Sequence, residues 1–295
     1  MNVIEIFFDT NAIRPSLKNY VDFHLNNAFS DFVDFIGSKD LIENCSINIC
    51  QIVFLEIQKQ ITDEFYKNVE VLRYFPSITE DSYKREKEFI VHLKEKIDEY
   101  VENNHINIIK IPTSEESYLK IIDRAVNKKK PFVGDKGDSD KGFKDAIQWD
   151  TIIEYSKQVS SEHFILITDN KSDFDSTLEK EFRDITEKNI KIFTSIGEAQ
   201  DYILKINNMH SNYNFVNKLI GKMFAEGTLL SFVEDKITER EYEIDNIESV
   251  DNVVDLGNNL YEFNLYVDDE HQMFYTVECQ LIDDTLINTD IIICL

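Results

Sequence analysis

Four acidic residues stand where the hydrophobic pattern predicts the end of a strand or the buried side of a helix. Asp9 and Asp169 each follow an apolar run directly, whereas Glu56 and Asp145 lie on predicted helices. Carboxylates placed close together repel one another and normally coexist in ionised form with a cation between them. Mg²⁺ and Mn²⁺ prefer oxygen ligands, and such ions activate water for phosphodiester cleavage. The residue types therefore predict a metal-dependent hydrolase of phosphodiesters.

Each of these carboxylates has an ordinary alternative role when it is taken singly. Asp9 is typical of a turn, and Asp145 of a first helical turn that complements the helix dipole. Glu56 is typical of a helix surface. Along the chain the four residues fall in the order strand end, helix, helix start and strand end. This joint order favours one shared site.

The elements that must position these carboxylates alternate between strands and helices up to residue 206. Such alternation predicts an α/β fold with a parallel sheet and helices on both faces, in which functional residues gather beyond the carboxyl ends of strands. The predicted strands are 3–8, 47–49, 106–111, 163–168 and 190–194. The predicted helices are 20–43, 51–67, 68–104 with a break at Pro76, one that follows a capping box at 113–116 and runs to about residue 126, 142–157, and 195–206. A loop is expected at 127–142.

After about residue 207 the pattern changes to short β-like runs separated by hairpin signals. A helix is predicted at 213–224, and strands are predicted at 229–233, 246–254, 260–267, 273–281 and 287–294. We therefore expect two domains, an α/β domain at 1–206 and a small, mainly antiparallel β domain at 207–295.

The net charge of −25 is concentrated toward the C-terminal end. Residues 206–295 contain 18 acidic and 4 basic residues, whereas residues 1–205 contain 38 acidic and 27 basic residues. A surface of that charge repels a phosphate backbone. We therefore expect the C-terminal domain to avoid nucleic acid and to contact a protein partner or a second copy of the chain. A plain stabilising appendage is the alternative.

Composition and short motifs argue against several other classes of protein. The four cysteines form no CxxC pair, which argues against a structural zinc site or a disulfide framework and favours a reducing cytosol. No apolar stretch approaches the roughly 18 residues of a membrane span, and the N-terminal residues lack a signal-peptide pattern. The six histidines show no ligand spacing, and there is no phosphate-binding glycine loop or nucleophile elbow. We expect a cytoplasmic protein with no membrane partner.

Three sequence blocks surround the acidic residues. The first is FFDTN at Phe7–Asn11, the second is KPF at 130–132 followed by KGFKDAIQW at 141–149, and the third is FILITDNKSDF at Phe164–Phe174. With these blocks, residues 1–206 resemble the PIN-domain nuclease superfamily. Within it they resemble a bacterial group that carries a KPF…KG(F/Y)(K/R)DAIxW block, the PIN-like domains of the DUF4935 type.

The resemblance implies a divalent-metal-dependent nuclease, commonly an endoribonuclease that acts on single-stranded RNA, with Mg²⁺ or Mn²⁺ as its cofactor. The first three acidic positions of the family fall on Asp9, Glu56 and Asp145, which would bind metal and serve catalysis. Thr10 and Asn11 would lie near the substrate and position Asp9 or a metal-bound water.

The fourth acidic position of the family is ambiguous in this sequence. It falls on Asn170, with Asp169 just before it and Asp173 three residues later. Asp169 is the expected metal ligand, Asp173 is a further catalytic candidate, and Asn170 is expected to contact the substrate. A site with three strong carboxylates is the alternative.

Basic residues concentrate between the acidic positions, where they could hold a nucleic-acid backbone. Arg124 and Lys144 are the preferred substrate-binding candidates, ahead of Lys128–Lys130, Lys136 and Lys141. A solvated loop is an equally good explanation of the lysines.

Three functions compete on this reading. The first is an endoribonuclease, with a role as a bacterial toxin or antiviral effector by analogy with the family. The second is a DNA nuclease that uses the same site. The third is a protein-binding module with a degenerate site, which the charge of −25 and the ambiguous fourth position both support.

Overall fold

The computed structural model describes residues 4–16, 22–39, 41–72, 79–132, 142–170, 172–238, 246–267 and 274–294. The chain divides into two compact units, Met1–Ile203 and Leu204–Leu295. Residues 133–141 of the predicted loop lie outside the described residues. Among the helices that are described, none is long and apolar enough to cross a membrane.

Five parallel strands form the sheet of the first unit. They are β1 (Ile4–Phe8), β2 (Cys45–Cys50), β3 (Asn107–Ile109), β4 (His163–Ile167) and β5 (Asn189–Phe193). Their order across the sheet is β3-β2-β1-β4-β5, with every neighbouring pair parallel. The strand order reverses between β1 and β4, and a crevice at the carboxyl ends of two such strands is the usual place for a ligand site.

Helices connect these strands and cover the sheet. They are α1 (Thr10–Ile13), α2 (Asn27–Ser38), α3 (Gln51–Leu72), α4 (Thr79–Asn103), α5 (Glu115–Asn127), α6 (Phe143–Ser156) and α7 (Ser176–Thr186). Helix α8 (Ile196–Ala225) follows β5 and contains the division between the two units, so the prediction of two separate helices at 195–206 and 213–224 is wrong. Every residue of β1 and β2 is buried, as expected for parallel strands covered on both faces. The predicted fold class, a parallel α/β sheet followed by a small antiparallel β domain, is confirmed.

Side-chain caps set the first residue of two helices, and one of these helices begins later than the pattern predicts. The helix predicted at 20–43 is α2, which begins after Asn26, whose side chain accepts a hydrogen bond from Phe29 N at 2.9 Å. The helix predicted to follow the capping box at 113–116 is α5, which begins after Ser114, whose hydroxyl accepts from Ser117 N at 3.1 Å. A capping side chain sets the first helical residue because it satisfies an otherwise unpaired backbone donor.

The second unit contains a four-stranded antiparallel sheet. Its strands are β6 (Ile247–Gly257), β7 (Leu260–Val267), β8 (Phe274–Ile282) and β9 (Thr285–Cys294), and they are neighbours in chain order. One face of the sheet forms a core in which Phe263, Leu265 and Val277 are fully buried.

The strand predicted at 229–233 is wrong, because these residues begin helix α9 (Leu229–Thr238). Leu229 and Val233 are four residues apart and both belong to the core beneath the sheet. Burial at that spacing is a helical pattern, and a short apolar run does not distinguish it from a strand.

Gly142, in the second part of the KPF…KGFKDAIQW block, packs directly against the first part. Its backbone is left-handed, with a φ of 99°, directly before α6. A Cβ at this position would lie 2.9 Å from the Phe132 Cα and 2.9 Å from the Pro131 carbonyl oxygen, so the approach requires glycine. Phe132 is itself buried against Ile121 and Ala146. The contact therefore holds the first turn of α6 in place.

Replacing this glycine should destabilise the fold. Gly142→Ala should lower the free energy of unfolding by about 1–3 kcal/mol, since both the φ angle and the close contact become strained. Urea denaturation followed by circular dichroism measures the loss. The matched control is Gly37→Ala on α2, where an added Cβ meets no atom within 4 Å and should be neutral or slightly stabilising. Equal urea midpoints for the two variants would contradict this account of the contact.

Candidate active site

Asp9 lies at the carboxyl end of β1, next to the end of β4. Its backbone N–H donates to the Ile167 carbonyl oxygen at 2.9 Å, which continues the pairing of the two strands. Its carboxylate accepts one hydrogen bond from Thr10 N at 2.8 Å and another from the Thr168 hydroxyl at 2.9 Å. Asp9 is therefore buried and held in one orientation at the crevice between the strands.

The side chains around Asp9 form an open cleft of about 330 Å³. It collects residues from the end of β1, from α3, from the start of α6 and from the loop after β4. The lining residues are Asp9, Thr10, Asn11, Glu56, Gly142, Phe143, Lys144, Asp145, Asn170 and Asp173. Three of the four metal ligands expected from the sequence line this cleft.

Glu56 reaches the cleft from α3 and is held at both carboxylate oxygens. The Thr10 hydroxyl donates to one oxygen at 2.8 Å. The Lys144 ammonium pairs with the other at 2.5 Å. Lys144 thus neutralises an acidic neighbour within the cleft, and its half-exposed side chain can also reach solvent.

Asp145 lies in the first turn of α6, and its ionisation is disfavoured in the cleft. Burial raises the pKa of Asp145 to about 7, and repulsion from Asp9, Asp173 and Glu56 contributes, whereas Lys144 opposes the rise. The carboxylates are therefore close enough to perturb one another, as the sequence pattern led us to expect.

The pKa of Asp9 is also raised, mainly by burial. Repulsion from Glu56 and Asp169 adds to this rise, while the hydrogen bonds from Thr168 and Thr10 lower the pKa. Asp169 therefore acts on the site through its charge, although its exposed side chain is not among those that line the cleft.

Asp173 and Asn170 occupy the cleft at the ambiguous fourth position. Asp173 is buried, lines the cleft and repels Asp145. The Asn170 side-chain amide donates to the Asp173 carboxylate. The Phe174 N–H donates to the Asn170 carbonyl oxygen at 3.2 Å, which turns the chain so that Asp173 faces the cleft.

An aromatic contact joins the loop that carries Asp173 to helix α6. The rings of Trp149 and Phe174 meet edge to face with centroids 6.3 Å apart, and both side chains are fully buried. The KGFKDAIQW and ITDNKSDF blocks are therefore in direct contact, so the carboxylates that they carry are positioned together.

The cleft has the donor chemistry of a site for a hard divalent cation, because its acidic side chains offer only oxygen atoms. Among the described residues, however, no three His, Cys, Asp or Glu side chains are arranged so as to hold a metal ion. In this structure Lys144 pairs with one oxygen of Glu56 and balances part of the negative charge of the cleft that a cation would balance.

Comparison with known families accounts for this arrangement. The sequence profile of the PIN domain matches residues 6–174, which include every residue that lines the cleft. The chain belongs to the PIN-domain family. PIN domains are generally nucleases that depend on divalent metals such as Mg²⁺. No curated protein and no solved structure matches the chain.

Arg124, expected to bind substrate, lies outside the cleft of this PIN domain. Its guanidinium forms a two-point ion pair with Glu181 of α7 and donates to the Lys130 carbonyl oxygen at 2.7 Å. The side chain is buried, so the geometry gives it a structural role between α5 and α7. Lys130 pairs with Asp175, while Lys136 and Lys141 lie outside the described residues.

Phe143 was missed by the sequence reasoning. It lines the cleft beside Lys144 with 48% of its surface exposed. The available signal was the position of Phe143 at the start of α6. It lies between Gly142, which fixes the backbone, and Lys144, which lines the cleft. An exposed aromatic ring at the edge of a nuclease cleft is a platform on which a base can stack.

Removing the charge at Asp145 should stabilise the metal-free PIN domain at high pH. The pKa of Asp145 in the folded chain, about 7, lies above its ordinary value of 3.8, so ionisation costs the folded state and stability falls as the pH rises between these values. Asp145→Asn should raise the free energy of unfolding at pH 8 by about 1–2 kcal/mol, a discounted figure because partial exposure screens the charge. At pH 4 the gain should be near zero.

Urea denaturation in the presence of a chelator, at pH 4 and pH 8, checks this expectation. The control is Asp184→Asn, which removes an exposed carboxylate on α7. An Asp145→Asn variant that is no more stable than wild type at pH 8 would show that ionisation of Asp145 does not destabilise the folded chain.

Proposed function

We propose that the chain is a divalent-metal-dependent nuclease and that it cuts single-stranded RNA. The observation that carries the proposal is the gathering of Asp9, Glu56, Asp145 and Asp173 in one cleft at the strand-order reversal of a PIN domain. Mutual repulsion, which contributes to the raised pKa of Asp145, is the expected property of a cation site without its cation.

Asp9, Glu56 and Asp145 would hold Mg²⁺ or Mn²⁺, and the fourth ligand would come from Asp173 or from Asp169. A bound cation of this kind supplies an activated water and neutralises charge on the leaving oxygen. The residues of the chain supply orientation. Thr10 and Thr168 hold two of the carboxylates by hydrogen bonds, and the exposed Asn11 lines the cleft beside them.

Lys144 is proposed to exchange its partner when substrate binds. In the structure its ammonium neutralises Glu56, and a cation shared by the carboxylates would free it. A phosphate of the substrate is then the natural new partner, since lysine binds phosphate as a point charge. This gives Lys144 the substrate-binding role that the sequence suggested.

Loss of single carboxylates should abolish cleavage. Asp9→Asn and Asp145→Asn should each lower the rate of Mn²⁺-dependent cleavage of labelled single-stranded RNA by about 100-fold or more, since even changes outside the ligand shell cost about 10–100-fold at metal sites. Gel assays with purified full-length protein measure the rate, and Asp184→Asn is the control with an unchanged rate.

Binding of the cation gives a second readout of the same variants. Mn²⁺ at millimolar concentration should raise the melting temperature of the wild type more than that of Asp145→Asn, because a ligand stabilises the state that binds it. A melting temperature indifferent to Mn²⁺, together with no cleavage, would leave the degenerate protein-binding module as the better account. Cleavage of DNA but not RNA would favour the DNA nuclease.

The exposed ring of Phe143 supports a single-stranded substrate, because bases in a duplex are not free to stack on it. Phe143→Ala should raise KM for single-stranded RNA by about tenfold with a smaller effect on kcat, since base stacking on an aromatic side chain contributes about 1–3 kcal/mol. Phe143→Tyr keeps the ring and should restore KM. Equal KM values for the alanine and tyrosine variants would rule out stacking.

The acidic second unit is proposed to bind a protein with a basic surface. Residues 241–295 contain 14 acidic residues and no Lys or Arg. On the sheet, Glu262 pairs in register with Glu278, and Glu278 with Asp290, so three carboxylates lie side by side across the strands. Like charges opposite one another are destabilising and are relieved by an opposite charge. A toxin or antiviral role for the whole chain rests on family analogy alone.

A further inference from the structure

Side chains of helices α5, α6 and α7 line a second cavity of the first unit, which we call the α5–α7 cavity. Its volume is about 580 Å³, within the range of about 300–1,000 Å³ that is usual for sites of small ligands. Among the residues that the structure describes, none lines both this cavity and the cleft of the carboxylates. The α5–α7 cavity is therefore a separate candidate site.

Asp150 of α6 lies in the wall of this cavity with an incomplete set of hydrogen bonds. Only 2% of its surface is exposed, and within the described part of the chain its carboxylate oxygen Oδ2 has no hydrogen-bond partner. Burial raises the pKa of Asp150, whereas the charge of Lys120 and a hydrogen bond with Ser117 lower it. A buried acceptor without a donor costs the folded chain free energy, so a ligand that supplies the donor is favoured.

Aliphatic side chains form another part of the cavity wall. Ile153 comes from the same helix as Asp150, and Leu178 and Ile185 come from α7. Proteins that enclose a single nucleobase hold its flat faces between apolar side chains and read its edge by hydrogen bonds. Adenine, guanine and cytosine each carry an amino group at that edge, and a carboxylate is a natural acceptor for it. The aliphatic wall and the buried acceptor together match such a base.

Two lysines of the cavity wall are available for a phosphate. Lys120 and Lys129 have side chains that are 40% and 58% exposed. Lys120 pairs with Glu116 at 2.8 Å and Lys129 pairs with Asp123 at 2.7 Å, and both acidic partners are at least half exposed. Ion pairs of this kind are weak in water, so a phosphate can replace the carboxylates.

We propose that the α5–α7 cavity binds a nucleotide whose base donates a hydrogen bond from its amino group to Asp150. The faces of the base lie against Ile153 and Leu178, and its phosphate takes the place of an acidic partner of Lys120 or Lys129. Each part of the nucleotide then meets a part of the wall with matching chemistry. The site depends neither on a metal ion nor on the proposed cleavage of RNA.

Isothermal titration calorimetry of the full-length chain with adenosine 5′-monophosphate, in the presence of a chelator, tests the proposal. We expect a dissociation constant between about 10 µM and 1 mM, as is usual for a ligand of this size. Purine riboside 5′-monophosphate keeps the ring and the phosphate but lacks the amino group. It should bind about 10–100-fold more weakly, because the charged acceptor loses its donor. Equal affinities for the two nucleotides, or no binding of either at millimolar concentration, would overturn the proposal.

Variants of the cavity wall test where the nucleotide binds. Asp150→Leu removes the acceptor with little change in shape and should abolish binding, whereas Asp150→Asn keeps one side-chain oxygen and should retain part of it. The double variant Lys120→Ala/Lys129→Ala should weaken binding of the monophosphate but not of adenosine, which has no phosphate. Circular dichroism checks that each variant keeps its fold.

Lys144→Ala is the matched control, because Lys144 lines the cleft and not the cavity. Its dissociation constant for the monophosphate should equal that of the wild type. An Asp150→Leu variant that still binds, or a Lys144→Ala variant that does not, would place the nucleotide elsewhere and contradict the proposal. Displacement of the monophosphate by a short oligoadenylate would support the site as one for a nucleotide of a longer strand, and a lack of displacement would support it as one for a free nucleotide.

Discussion

Carboxylates that repel one another share one partly buried cleft, and the surrounding residues must offset that repulsion to keep the cleft folded. Burial and negative neighbours raise the pKa values of Asp9 and Asp145. The Thr168 hydroxyl opposes the rise in the pKa of Asp9, and the Lys144 ammonium opposes the rise in the pKa of Asp145. These compensating groups stand next to the acidic positions in the sequence blocks. The polar and basic residues of the blocks therefore offset part of the repulsion between the acidic ones.

Much of the first unit could be predicted because its strands are buried on both faces. Such strands are continuous apolar runs that end at a polar residue, so β1 and β4 were marked by the residues that follow them. Parallel neighbours end at the same edge of the sheet, which is why Asp9 and the loop after β4 meet. Asp145 followed from the same logic, since α6 begins at this edge.

The features that were missed depend on contacts between distant parts of the chain. Arg124 was predicted to bind substrate, but it pairs with Glu181, which is 57 residues away in the sequence. No local sequence pattern predicts an ion pair over that separation. The choice between Asp169 and Asp173 depends on how the chain turns after β4, which a loop sequence does not encode by periodicity. Residues 229–233 are apolar over too few positions to separate a helical repeat from an alternating one.

The close approach of Gly142 to Phe132 has a consequence for the nine residues between them. Phe132 and Gly142, the residues that flank this segment, are in contact with each other and are both anchored in the fold. Lengthening a segment between anchored ends costs only about 0.6 kcal/mol for each doubling. A peptide tag or a fluorescent reporter inserted between residues 133 and 141 would therefore leave the start of α6 undisturbed, and it would be joined to the chain next to Gly142, which lines the cleft.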